Sequence, residues 1–117
     1  MWGGSELFMS LKTWMAGGSC KITNNIQIGH KFRSNSPYST NLWNIYYNKL
    51  YMCETLFPSG LKEVLIKQLP RNINFKRALR EIEKDELLIK KEKEYYKEVF
   101  TRDIKSICDQ WDVQIPH

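Results

Sequence analysis

From Asn41 onward the apolar residues return at three- and four-residue spacing, the period of helices and not of strands. Leu42, Ile45, Tyr46, Lys49, Leu50 and Cys53 trace one face of a helix predicted over 41–56, with the lysine stem at its margin. Phe57-Pro58-Ser59-Gly60 breaks it. Leu61, Val64, Leu65 and Leu69 then mark a short helix that Pro70 ends. Phe75, Leu79 and Ile82 begin another, with Asn72 or Asn74 as its cap. Residues 83–98 are rich in lysine and glutamate, the pattern of an exposed helix with i,i+4 charge pairs, and Leu88, Tyr95 and Val99 give it a thin apolar seam. Ile104, Ile107, Cys108 and Trp111 make a last amphipathic turn or two.

The first forty residues read differently. Leu7, Phe8, Leu11, Trp14 and Met15 predict a helix over 6–16, with Ser5 as N-cap and Gly17-Gly18 as its stop. Two short strands are then expected, over 19–24 and 26–30. Cys20 and Ile22 alternate with Lys21 and Thr23, Ile26, Ile28 and His30 share one side, and Asn24-Asn25 makes the turn. A polar loop containing Pro37 follows over 33–39. Two short strands do not make a stable sheet alone, so this reading expects further strands from elsewhere. The expected fold is an α/β fragment, mainly α: a helix and β-hairpin within residues 1–40, and a helical extension over 41–117.

Composition bounds the function. The 117 residues amount to one small domain, and no stretch approaches ~18 apolar residues, which excludes a transmembrane helix from this reading. Met1-Trp2-Gly3-Gly4 lacks a basic region followed by an apolar run, so no signal peptide is expected. Cys20, Cys53 and Cys108 are odd in number and widely spaced, against a disulfide framework or a cysteine zinc site, and a reducing cytoplasm is expected. The net charge is +5, but it does not form a basic stripe. Lys12, Lys21, Lys31, Arg33 and Lys49 face only Glu6 and Glu54 in the first 57 residues, and the remainder is mixed in charge, so nucleic-acid binding is not expected.

The most informative segment is 2–38. Trp2-Gly3-Gly4-Ser5-Glu6 leads into a helix that ends Trp14-Met15-Ala16-Gly17-Gly18, and Gly29-His30-Lys31-Phe32-Arg33 and Pro37-Tyr38 follow. This resembles the C-terminal part of the catalytic domain of GT-A glycosyltransferases, the bacterial family 2 enzymes and the polypeptide N-acetylgalactosaminyltransferases in particular. The resemblance implies transfer of a sugar from a nucleotide-sugar donor with the help of a divalent cation, Mn or Mg. On it, His30 corresponds to a metal ligand, Arg33 and Tyr38 to diphosphate contacts, and Trp2, Gly3, Gly4 and Phe32 to the lining of the sugar and acceptor site. Glu6 stands where family 2 members often carry an acid and the N-acetylgalactosaminyltransferases an amide, which makes it the candidate catalytic base. Ser5 and Phe8 replace acids usual nearby, and Ala16 a cysteine found in some relatives. No Asp-x-Asp occurs in the chain, so the metal's carboxylates are expected from a separate N-terminal half.

The chemistry suits those residue types. A departing diphosphate needs positive donors, an arginine forks two phosphate oxygens, and a neutral imidazole binds a divalent metal. Trp14 and Met15 are expected in the core, and the Tyr46-Tyr47 and Tyr95-Tyr96 pairs in helix packing and on the surface. The rival expectation is a non-catalytic helical binding module, or an inactive remnant, whose basic first half holds an anionic partner.

Overall fold

The computed structural model describes residues 3–29 and 41–114. Six helices follow one another: α1 (Ser5–Met15), α2 (Leu42–Leu56), α3 (Ser59–Lys67), α4 (Ile73–Lys84), α5 (Glu86–Val99) and α6 (Ile104–Gln110). None of them is long and apolar enough to cross a membrane.

Helix α2 lies at the centre because two apolar clusters meet on it. On one side Tyr47 and Leu50 pack with Phe75 and Ala78 of α4, and Phe75 and Leu50 are 1% exposed. On the other, Met52, Cys53 and Leu56 join Met15 of α1, Tyr96 of α5, and Ile104 and Ile107 of α6. The one-sided face expected for α2 is thus incomplete. Leu50 and Cys53 are buried as expected, but Leu42 is 61% exposed, and Tyr47 and Met52 are buried because a second layer covers them.

Local chemistry sets the boundaries. The Asn72 side chain accepts from the Phe75 amide at 3.0 Å and starts α4, and Asp103 accepts from the Ser106 amide at 2.7 Å and starts α6. Ser5 lies inside α1; the N-cap position is Gly4, with no side-chain bond. At the other end of α1, the Gly18 amide donates to Thr13 O and the Gly17 amide to Trp14 O, a Schellman closure with Gly17 at φ +87°.

Three expectations are corrected. Among the described residues there is no strand, so the fold is all helical there and the β-hairpin of an α/β fragment is not present. Residues 19–29 carry the alternation of a strand, but no neighbouring strand offers them hydrogen bonds, and Ile22, Ile26 and Ile28 stand 94%, 63% and 87% exposed. His30, the last residue of that expected hairpin, lies outside the described residues. The charged run over 83–98 is not one helix, because Asp85 ends α4 and α5 begins at Glu86. The seam of α5 is turned by one residue: Ile89 and Tyr96 are buried, while Leu88 and Tyr95 are 48% and 59% exposed.

Tyrosines of α2 and α5 are held by carboxylates of α5 and of the α4–α5 junction. The Tyr96 hydroxyl donates to Glu92 at 2.7 Å, and the Tyr47 hydroxyl donates to Asp85. Tyr51 is pushed up to about 12, first by burial and then by the charge and hydrogen bond of Glu92. Tyr47 and Tyr96 are also raised, burial again being the largest cause. These phenols are neutral in the fold and ionise near pH ~10 when unfolded, so their contribution is complete below that pH. It is lost as pH rises from the unfolded toward the folded value. Alkaline titration is therefore expected to show helix loss together with tyrosinate absorbance above pH ~10; free ionisation of all the tyrosines near 10 with helicity intact would contradict it.

Candidate functional site

The described part of the candidate site is the turn Gly3-Gly4 and the first turn of α1. Gly3 has φ +91° and Gly4 φ +71°, a left-handed path that other residues take only at a cost. Gly3 is also pressed against α2: a Cβ there would lie 2.9 Å from Ile45 Cγ1. Its carbonyl accepts from Asn48 Nδ2 at 2.6 Å. Helix α2 therefore fixes the entry to α1.

The exit is fixed as well. The amides of Thr101 and Arg102 both donate to Met15 O, at 2.8 and 3.0 Å, satisfying a carbonyl at the end of α1. A Cβ on Gly17 would come within 2.9 Å of Thr101 Oγ1. Gly17→Ala combines this close approach with the left-handed backbone and is expected to cost ~1–3 kcal/mol in urea denaturation. An unchanged midpoint would contradict that role for Gly17.

Glu6 is exposed on the first turn of α1. There the partial positive charge of the helix end favours a carboxylate. It borders a cavity of about 600 Å³ between the start of α1, α2 and the end of α3. Leu7, Met52, Leu65 and Leu69 supply apolar wall, and Lys49 and Gln68 add polar groups. Cys53 also lines it, but burial, followed by the charge of Glu54, pushes its thiol up to about 11. The thiol is neutral at pH 7 and unsuited to nucleophilic attack.

Of the residues proposed from sequence, Gly3, Gly4 and Glu6 are brought together at the α1 entry. Trp2, His30, Phe32, Arg33 and Tyr38 lie outside the described residues. Among the described residues no three His, Cys, Asp or Glu side chains gather as a metal-binding group. Those residues do not fit a divalent cation by themselves. Lys49 was legible only as the margin of a helix face, and Gln68 not at all, because the cavity joins segments distant in sequence.

Comparison with known proteins gives a partial likeness. No family model matches this chain, and no solved structure matches it. Polypeptide N-acetylgalactosaminyltransferase 3 of Drosophila melanogaster is 34% identical over 71 residues, which is 61% of this chain and 8% of the relative. Polypeptide N-acetylgalactosaminyltransferase 4 of Caenorhabditis elegans is 30% identical over 79 residues, 64% of this chain and 13% of the relative. Polypeptide N-acetylgalactosaminyltransferase 5 of the same nematode is 47% identical over 38 residues, 32% of this chain and 6% of the relative. The chain spans about a tenth of the length of these curated relatives. It is thus similar, over part of its length, to a fragment of the polypeptide N-acetylgalactosaminyltransferases.

Proposed function

We propose that this chain supplies one segment of a glycosyltransferase that moves a sugar from a nucleotide-sugar donor to an acceptor. The observation that carries the reading is the similarity to N-acetylgalactosaminyltransferases over 71 and 79 residues. Its physical support is the doubly anchored α1, which presents Glu6 beside a cavity from a turn only glycines accommodate well.

In this reading Glu6 takes the proton of the acceptor hydroxyl, and Arg33 and Tyr38 hold the donor diphosphate. Trp2, Gly3, Gly4 and Phe32 line the sugar and acceptor side. His30 is the residue this chain would bring to a divalent cation, Mn or Mg, with the carboxylates coming from an Asp-x-Asp segment outside these 117 residues. A reducing compartment such as the cytoplasm belongs to this reading, from the odd number and wide spacing of Cys20, Cys53 and Cys108.

The test is co-production with a polypeptide that carries the Asp-x-Asp half of such a domain, followed by a donor-hydrolysis assay. The pair is expected to turn over a nucleotide sugar and the purified chain alone is not. Turnover by the chain alone, or a stable pair with none, would defeat the reading.

A further inference from the structure

The cavity beside α1 pairs Glu6, which the transferase reading uses, with Lys49, which that reading leaves without a role. Glu6 and Lys49 both line it, and among the described residues neither makes an ion pair or hydrogen bond. Lys49 stands one helical turn before Cys53 on α2, so both lie on the face that lines this cavity. A simple anion entering here would be opposed by Glu6, and a simple cation by Lys49. A molecule with one charge of each sign meets both. In the same cavity Leu7, Met52 and Leu65 offer apolar wall, and the Gln68 amide offers one donor and one acceptor group, the complement of a peptide unit. The volume of about 600 Å³ falls among those of small-molecule sites, roughly 300–1,000 Å³.

We propose that this cavity binds a short apolar zwitterionic peptide of dipeptide size, its carboxylate on Lys49, its ammonium on Glu6 and its side chains against the leucines. The site needs none of residues 30–38 and shares only Glu6 and the turn before it with the transferase reading. A bound ammonium would occupy the Glu6 carboxylate, and the peptide would then compete with any use of Glu6 on an acceptor.

The test titrates the purified chain with Leu-Leu, its N-acetyl form and its C-terminal amide, followed by calorimetry and amide NMR shifts. Leu-Leu is expected to bind with Kd on the order of 0.1–1 mM, from ~0.3 kcal/mol per heavy atom. Masking either charge is expected to weaken binding about tenfold, the value of one charge-assisted hydrogen bond. Lys49→Met is expected to erase the difference between free and amidated carboxylate, and Glu6→Gln that between free and acetylated amine. Equal binding of all three ligands, or no binding of Leu-Leu at ten times the expected Kd, would overturn the proposal. Because the three ligands are compared on the unmodified chain, the outcome stands even where a variant fails to fold. No arm uses a nucleotide sugar, so failure here leaves the transferase reading where it was.

Discussion

Phe75→Ala is expected to destabilise the chain by ~3–5 kcal/mol, the range for removing a buried aromatic ring. Phe75 is 1% exposed and packs with Leu50, Tyr47 and Ala78 where α2 meets α4. Its ring stands edge-on to Tyr46 at 6.2 Å between centroids, and the Arg71 guanidinium covers it at 4.6 Å. Truncation leaves a cavity between two helices that the backbone cannot close without moving α4, and Asn72, which caps α4, also donates to the Tyr46 hydroxyl. Small domains have only ~5–15 kcal/mol in total, so much of the chain should be unfolded at mild denaturant. Urea denaturation followed by circular dichroism checks this. A loss below ~1 kcal/mol would mean that the α2–α4 contact contributes little to the fold.

The second large effect concerns chemistry. In a fusion where this chain replaces the matching segment of a transferase relative, Glu6→Gln is expected to lower kcat ~100-fold with donor affinity intact. The base role belongs to a transfer that inverts the donor's anomeric centre, which needs a group to take the acceptor proton, and Glu6 is the only carboxylate in the Trp2–Phe8 stretch. The competing role is purely structural. A carboxylate on the first turn of α1 complements the helix dipole, and its loss would then cost ~0.5 kcal/mol of stability and leave kcat near normal. A product that keeps the donor's anomeric configuration would also remove the base role.

Periodicity in the sequence located the six helices well, because amphipathic spacing survives whatever packs on it. It failed where burial came from more than one side. Tyr47 and Met52 leave the expected face of α2, and Ile89 and Tyr96 displace Leu88 and Tyr95, since the partner surface decides which edge of a stripe is covered. Alternation misled over 19–29 for a different reason. Ile22, Ile26 and Ile28 have the spacing of a strand, but ladder bonds need a partner chain segment that the described residues do not provide. At the site, the glycine turn was legible because positive φ selects glycine. The clasp of Thr101 and Arg102 on Met15 was not, because backbone amides leave no mark in a sequence. Nor was the cavity, which Glu6, Lys49 and Gln68 reach from three helical segments.

The central claim is that this segment serves sugar transfer. The direct measurement is N-acetylgalactosamine transfer by the unmodified fusion, compared with the intact relative and with a fusion carrying Arg33→Ala. The expected result is transfer by the unmodified fusion and weakened donor binding in the Arg33 variant. A folded fusion with no transfer, or an Arg33 variant with the same donor KM, would contradict it.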